Sequence, residues 1–206
     1  MNTKISIHVN SNHSREFVYE YINKAYEQFE YVVKNFSRFD PKSELSVLNS
    51  SSNKWTKVSD ELFDLISFAL DVSDKTNGIF DPTVIDILEK YGYDKDYNFS
   101  KLDDPEIKKR IDDLIRTRPN YKAVELNAKR KKVKLVDNQG IDLGAIGKGY
   151  AIDLAYDVLE KKFKNFFINA GGDIRVKGVN TIDKPWKIKL EYRDKKGTAE
   201  TLGFAE

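Results

Sequence analysis

The chain has 206 residues, and its 35 basic and 33 acidic residues leave a formal net charge of +2. A charge balance this even gives no overall field that would favour a nucleic acid or an anionic membrane as a partner. With no cysteine and two histidines, the sequence excludes disulfides and thiolate nucleophiles, makes a zinc site unexpected, and leaves oxygen atoms as the expected ligands of any metal.

The first part of the chain predicts a strand, a helix, a loop and a second helix. Residues 5–9 alternate apolar and polar side chains, as a strand does, and residues 17–33 repeat apolar side chains at intervals of three and four, as a helix with one buried face does. The polar residues 35–53 predict an ordered loop with one helical turn, of the kind that binds ligands. Ser59 begins the second helix, which ends at residues 77–78.

The opening residues contain no apolar run long enough for a signal peptide or a membrane span. We therefore expect no transmembrane segment in this chain. Because a leader can be removed during export, the localisation stays open.

The middle of the chain is more polar. A helical stretch over residues 84–88 leads into a polar insertion at about residues 91–118, in which residues 105–115 form an amphipathic piece. Two alternating stretches flank residues 127–131 and predict a hairpin, so the basic residues there are interpreted as a solvated turn rather than a nucleic-acid contact.

The last part of the chain predicts a helix and three strands. Residues 140–149 are interpreted as a glycine-bearing turn that opens a third helix near Lys148. Strands at residues 165–169 and 174–176 follow, and residues 186–192 form the last clear strand.

The glycine-bearing segment is the densest candidate for chemistry. Free backbone amides and the positive end of a helix dipole favour an anion, and missing side chains let the oxygens of a diphosphate approach the backbone. Lys148 adds a cation, and Asp142 would be an acceptor for the edge of a base or a neighbour of a metal. The segment matches neither a Walker A loop nor the Gly-x-Gly-x-x-Gly order. A close-packed turn without a ligand therefore stays open as the alternative.

Three other candidates each have a structural alternative. Residues 169–173 bring backbone close to a ligand, with Asp173 orienting a polar group, or they are only a turn between strands. Asp81 is a ligand-binding carboxylate or a helix cap. Phe36 and Phe39 stack on a flat heteroaromatic ring or belong to the core.

Four segments resemble, in the same order, the motifs of the ApbE family of FAD:protein FMN transferases. They are residues 36–49, 77–84, 141–153 and 167–173, and the first three residues are also similar to the start of the family's first strand. The resemblance implies an α+β fold with mixed sheets and packed helices, T-fold-like, in a single domain over residues 1–206 with a variable insertion at about 91–118.

The resemblance also implies an activity and a site. Members use Mg²⁺ to split FAD and attach its FMN half to a Thr or Ser of an acceptor flavoprotein, with release of AMP. The carbonyl of Ala145 falls where one oxygen ligand of magnesium sits. The positions where members contact FAD are occupied here by Met1, Phe39, Ile79, Phe80, Asp81, Asp142 and Lys148.

One departure from the family bears on the activity. Members usually continue beyond the strand at residues 186–192 to a late Asp and Thr pair that completes the magnesium site, and this chain ends at Glu206 without it. Relative to the family, we therefore expect the chain to be truncated at its carboxyl end. It would be an amino-terminal portion of a family member, a natural short form, or a chain whose site is completed by a second subunit. The general base is not identified. A FAD pyrophosphatase, in which water attacks, and a non-catalytic FAD-binding domain remain as alternatives. Many relatives are extracytoplasmic lipoproteins anchored to a membrane.

Overall fold

The computed structural model describes residues 3–93, 104–194 and 197–206. Its helices are α1 (Arg15–Phe36), α2 (Glu44–Asn49), α3 (Asp60–Lys75), α4 (Ile85–Lys90), α5 (Pro105–Thr117) and α6 (Gly144–Glu160). Its strands are β1 (Ile5–Asn10), β2 (Thr56–Lys57), β3 (Glu125–Asn127), β4 (Lys132–Lys134), β5 (Asn165–Ala170), β6 (Asp173–Lys177), β7 (Ile188–Arg193) and β8 (Ala199–Ala205). The α+β class predicted from the sequence is confirmed.

The chain divides into two compact units. The first comprises Met1–Glu30 and Lys148–Glu206, and the second comprises Tyr31–Gly147. The prediction of a single domain is not tested by this division. Residues 94–103 of the predicted insertion lie outside the described residues, whereas its amphipathic piece forms α5.

The first unit is built on a sheet with the strand order β1-β5-β6. Alternate residues of β5, which are Phe166, Ile168 and Ala170, are fully buried, as a strand with one face against a core requires. Two glycines with positive φ, Gly171 and Gly172, join β5 to β6, and Asn169 Oδ1 accepts from the Gly172 amide at 2.9 Å. These residues form the turn that the sequence predicts between the two strands, while a ligand contact there stays a prediction.

The second unit places its core between helices and a small sheet with the order β2-β4-β3. Leu45, Leu48, Leu62, Ile66 and Val133 are fully buried there. The residues between β3 and β4 form a short 3₁₀ turn in which Lys129 and Arg130 are exposed, which agrees with the predicted solvated turn.

The ends of α3 follow the predicted capping chemistry. Ser59 is the N-cap, and its hydroxyl accepts from the Leu62 amide at 3.2 Å. After the helix, Asn77 and Gly78 both adopt positive φ, which a right-handed helix cannot continue.

Three predictions about elements are wrong. First, α6 begins at Gly144 rather than near Lys148, because a side chain earlier in the chain caps its first amide despite the low helix propensity of glycine. Second, the strand pairs in the described ranges are antiparallel rather than mixed, as expected where short turns join most of the neighbouring strands.

Third, the strand predicted at residues 186–192, which is β7, is not the last strand. β8 follows and pairs with β7. A register shift between Leu190 and Glu191 and the glycine at position 203 interrupt the alternation that would have marked β8 in the sequence. In the part of the chain that is described, no helix combines the length and apolar character needed to cross a membrane.

Candidate functional site

A nearly buried ion pair joins Asp142 to Arg38 in the second unit. Arg38 Nε donates to Asp142 Oδ2 at 2.6 Å, and the two side chains are 7% and 11% exposed. The other carboxylate oxygen, Oδ1, accepts from the Gly144 amide at 2.7 Å. Asp142 therefore neutralises a buried guanidinium and caps helix α6 at the same time.

The guanidinium of Arg38 also contacts the segment that ends α4. Nη1 lies 3.3 Å from Glu89 Oε1, and Nη2 donates to the Tyr93 carbonyl. Its carbon atom lies 4.2 Å from the centre of the Phe39 ring and 5.6 Å from that of Tyr93. One planar cation thus links three segments of the chain by hydrogen bonds and stacks on an aromatic ring.

The backbone around Asp142 is held from two sides. The side-chain amide of Asn49 makes two bonds to Ile141, accepting from its N–H at 2.8 Å and donating to its carbonyl at 2.9 Å. The Asp142 amide donates to the Pro82 carbonyl at 2.7 Å. These bonds place the loop from residue 141 beside both the 36–49 segment and the 77–84 segment.

The first turn of α6 offers fewer free amides than the sequence indicated. The Gly144 amide is capped by Asp142, and the amides of Ile146 and Gly147 donate to the Leu143 carbonyl at 3.1 and 2.7 Å. Within the described residues, the Ala145 amide has no hydrogen bond. The predicted turn of open amides is therefore a capped helix that leaves one first-turn amide for an anion.

Asp81 belongs to a second buried network. Its Oδ1 accepts from the amide and the hydroxyl of Thr83 at 2.8 and 2.6 Å, and its Oδ2 accepts from Arg118 Nη2 at 3.1 Å and from the Tyr121 amide at 3.3 Å. The side chains of Arg118 and Asp81 are 10% and 9% exposed. The interpretation of Asp81 as a helix cap is wrong, because α4 begins at Ile85 without a side-chain cap.

Tyr121, whose amide donates to Asp81, has a phenol with a raised pKa. Burial, a hydrogen bond to Asp74 and the neighbouring charges of Asp74 and Asp81 raise the pKa of its phenol. Arg118 Nη1 also donates to the Thr83 carbonyl at 2.8 Å. This cluster is therefore an anchor that ties the residues after α5 to the 77–84 segment.

The remaining predicted contacts fall in different surroundings. Ile79 is 92% exposed, whereas Phe39 and Phe80 are half-buried. Phe36, the other candidate for ring stacking, is 5% exposed and belongs to the core. Lys148 lies in the first unit, where its amine is 3.3 Å from the carboxylate of Asp173. Met1 lies outside the described residues.

Among the described residues, acidic and histidine side chains do not cluster as they would around a metal ion. In residues 3–93, 104–194 and 197–206, no group of three or more His, Asp or Glu side chains is arranged to hold a metal ion. Ala145 lies within α6, where a carbonyl accepts from the amide four residues later. Its oxygen can offer a metal one lone pair, and a Mg²⁺ ion takes six ligands, so further oxygens would have to come from elsewhere.

Sequence reasoning missed the partners of the two acidic candidates. Arg38, Asn49 and Arg118 were assigned no role, although Arg38 and Asn49 lie inside the segment that resembles the first family motif. The available signal for Arg38 was its position as a lone arginine in a polar loop that is expected to bind a ligand. Its partner Asp142 is 104 residues away, and no local pattern identifies such a pair.

Comparisons with known proteins agree on one family. The model of the ApbE family matches residues 1–205. The FAD:protein FMN transferase of Haemophilus influenzae is 26% identical over 181 residues, which cover 82% of this chain and 50% of that protein. The corresponding protein of Vibrio cholerae is 26% identical over 168 residues, which cover 79% of this chain and 48% of that protein.

Solved structures give the same result for the fold. The crystal structure of the ApbE protein from Thermotoga maritima matches with a TM-score of 0.82 and 28% identity, covering 98% of this chain and 63% of that one. The flavin transferase ApbE from Vibrio cholerae matches with a TM-score of 0.79 and 21% identity, covering 98% and 64%, which shows the fold alone. The chain spans about half the length of the first two relatives and less than two thirds of the solved chains.

Proposed function

The chain belongs to the ApbE family, and from this premise we propose that it binds FAD and transfers the FMN half to a Thr or Ser hydroxyl of an acceptor flavoprotein. The observation that carries the proposal is the family match over residues 1–205. It is supported by the geometry around Asp142, since Arg38 joins this residue to Phe39 and the Pro82 carbonyl joins it to the segment of Asp81.

The proposed reaction is a phosphoryl-type transfer. The acceptor hydroxyl oxygen forms a bond to the FMN phosphorus, the bridging P–O bond of the FAD diphosphate breaks, AMP leaves with the bridging oxygen, and the hydroxyl proton is lost. Such reactions depend mainly on positioning and on stabilisation of charge. The proposal includes a requirement for Mg²⁺. Because the described residues contain no cluster of metal-binding side chains, further oxygen ligands of the ion would have to come from elsewhere.

Several residues of this chain are proposed to bind and orient FAD. The positive end of α6, with the Ala145 amide, would hold the diphosphate, and Lys148 would add positive charge. Asp142 would accept a hydrogen bond through a lone pair that its internal partners leave open. Phe39, Ile79 and Phe80 would supply apolar surface for a flat ring.

The test is transfer to an acceptor. The protein is incubated with FAD, with and without Mg²⁺, and with an acceptor domain that carries a flavinylation threonine, and the acceptor is then weighed. We expect a mass gain equal to one FMN group, and no gain on an acceptor whose threonine is replaced by alanine. Absence of the gain at any enzyme concentration would overturn the transferase proposal.

The same experiment separates the two alternatives. Release of AMP from FAD without an acceptor, and without labelling when the acceptor is present, indicates a pyrophosphatase. Tight FAD binding that is indifferent to Mg²⁺ and produces no AMP indicates a non-catalytic flavin-binding domain. The absence of a metal cluster among the described residues is the observation that favours the second alternative.

A substitution at Gly147 tests whether the α6 backbone meets FAD. Apart from the two chain neighbours and the backbone of α6 itself, no heavy atom of the described residues lies within 4 Å of a Cβ built on Gly147 or Gly149. Gly147→Ala should therefore raise the free energy of unfolding by up to about 1 kcal/mol through helix propensity. If phosphate oxygens approach the backbone there, the same methyl group should weaken FAD binding, measured by flavin fluorescence titration.

Gly149→Ala is the comparison variant, since a Cβ there also meets open space, although Gly149 is exposed whereas Gly147 is buried. We expect the same gain in stability. If neither variant changes FAD affinity, the diphosphate does not approach this backbone and that part of the proposal is wrong.

A further inference from the structure

Arg38 differs in its surroundings from Arg175 and Arg118, two other paired arginines of the described chain. Arg175 pairs with Asp153 at 2.5 Å and stacks on Tyr156 at 3.6 Å, but its side chain is 40% exposed and that of Asp153 is 61% exposed. Arg118 is nearly buried and contacts one position expected to meet FAD, Asp81, while its other acceptors are Thr83 and the Pro119 carbonyl.

Arg38 combines burial with contacts to two positions that are expected to meet FAD. Its side chain is 7% exposed, one nitrogen donates to Asp142, and its Cζ lies 4.2 Å from the centre of the Phe39 ring. All three guanidinium nitrogens already donate within the protein, to Asp142, Glu89 and the Tyr93 carbonyl. Its effect on a ligand would pass through the carboxylate and the ring.

The two carboxylates beside Arg38 also depend on its positive charge. The carboxylates of Asp142 and Glu89 both lie against this one guanidinium, at 2.6 and 3.3 Å. Without the cation, the nearly buried Asp142 would face the half-exposed Glu89 with no charge between them to neutralise either, and Asp142 would lose the partner that fixes its Oδ2. The Asp142 rotamer would then be held only by the bond from the Gly144 amide.

We infer that Arg38 is a positioning residue of the flavin site, which holds the Asp142 carboxylate and the Phe39 ring in the orientation used to bind FAD. The inference rests on the proposed function. Lysine cannot replace arginine in this role, because an ammonium group lacks the planar fork that reaches Asp142, Glu89 and the Tyr93 carbonyl together and cannot stack flat on a ring.

The test is FAD titration followed by flavin fluorescence, on the full chain and on Arg38→Gln, Arg38→Lys and Arg175→Gln. We expect the Kd for FAD to rise about ten- to a hundredfold in both Arg38 variants, since a hydrogen bond to a charged group is lost. Arg175→Gln, which removes a stacked and paired arginine of the first unit, should bind FAD like the wild type. Circular dichroism melts identify the temperature at which every variant is folded, and titrations are made below it.

A double-mutant cycle with Asp142→Asn separates positioning from a general loss of structure. If Arg38 acts through Asp142, the double variant should bind FAD no more weakly than the weaker single variant. Should Arg38→Gln not fold, Arg38→Lys, which retains the charge, carries the same cycle.

Two results would overturn the inference alone: wild-type affinity in a folded Arg38 variant, or effects of the two substitutions that simply add. Loss of FAD binding by Arg175→Gln to the same degree would also overturn it, because the effect would then not be specific to Arg38. Failure of the wild-type chain to bind FAD would instead overturn the proposed function, and the inference with it.

Discussion

Asp142→Ala is expected to lower the free energy of unfolding by about 3–5 kcal/mol, because it leaves the charge of Arg38 in a nearly buried position without its nearest partner. The substitution also removes the cap from the Gly144 amide. That loss costs about 1 kcal/mol and is included in the total. FAD affinity should fall in parallel, since the proposed acceptor is gone. Urea denaturation and flavin fluorescence titration measure the two effects separately.

Asp142→Asn is the informative comparison. Its side-chain oxygen can still accept from the Gly144 amide, so the cap should survive while the charge opposite Arg38 is lost. We expect stability between those of the wild type and Asp142→Ala. Asp153→Ala, which removes the carboxylate of a largely exposed pair, should change the free energy of unfolding by about 1 kcal/mol or less.

The proposed site would be refuted if Asp142→Ala bound FAD with wild-type affinity. Wild-type stability in the same variant would refute the structural role of the pair. Because the two outcomes are measured independently, a stable variant that no longer binds FAD would assign Asp142 to the ligand rather than to the fold.

Asp81→Ala is expected to be similarly destabilising, by about 3–5 kcal/mol, since it leaves Arg118 nearly buried without its carboxylate. It also removes the acceptor of the Thr83 amide and hydroxyl, and Thr83 is 2% exposed. A buried hydroxyl and amide that lose an acceptor add to the cost. The measurement is urea denaturation in the absence of FAD.

A surface aspartate provides the control for Asp81. Asp71 pairs with Lys75 one turn along α3, and the side chains are 51% and 72% exposed. Asp71→Ala should therefore cost about 0.5 kcal/mol or less. If Asp81→Ala were as mild as Asp71→Ala, the network around Arg118 would not stabilise the fold, and direct contact with FAD would be the better explanation of Asp81.

The carboxylates of Asp81 and Asp142 are both held by hydrogen bonds within the protein. Both oxygens of each carboxylate already accept hydrogen bonds from the protein. A ligand can still bond to the lone pairs that remain, but it meets carboxylates whose orientation is set in advance. If FAD binds here as proposed, these side chains need little reordering, which would lower the entropy cost of binding.

Local signals predicted most of the elements. The periodicity of residues 17–33 located α1, the Ser59 cap located the start of α3, and residues 77–78 located its end. These features depend on side chains within a few residues of each other, so they can be found without knowing the fold. The resemblance of four segments to the ApbE motifs likewise identified the family.

By itself, the sequence determined the α+β class, the family and the segments expected to meet FAD. Only the tertiary structure decided that Asp142 pairs with Arg38 and that Asp81 is anchored by Arg118. Those pairs join residues 104 and 37 positions apart. Their contacts form only when the chain has folded and water has been removed from around the charges, so no local pattern of residues encodes them.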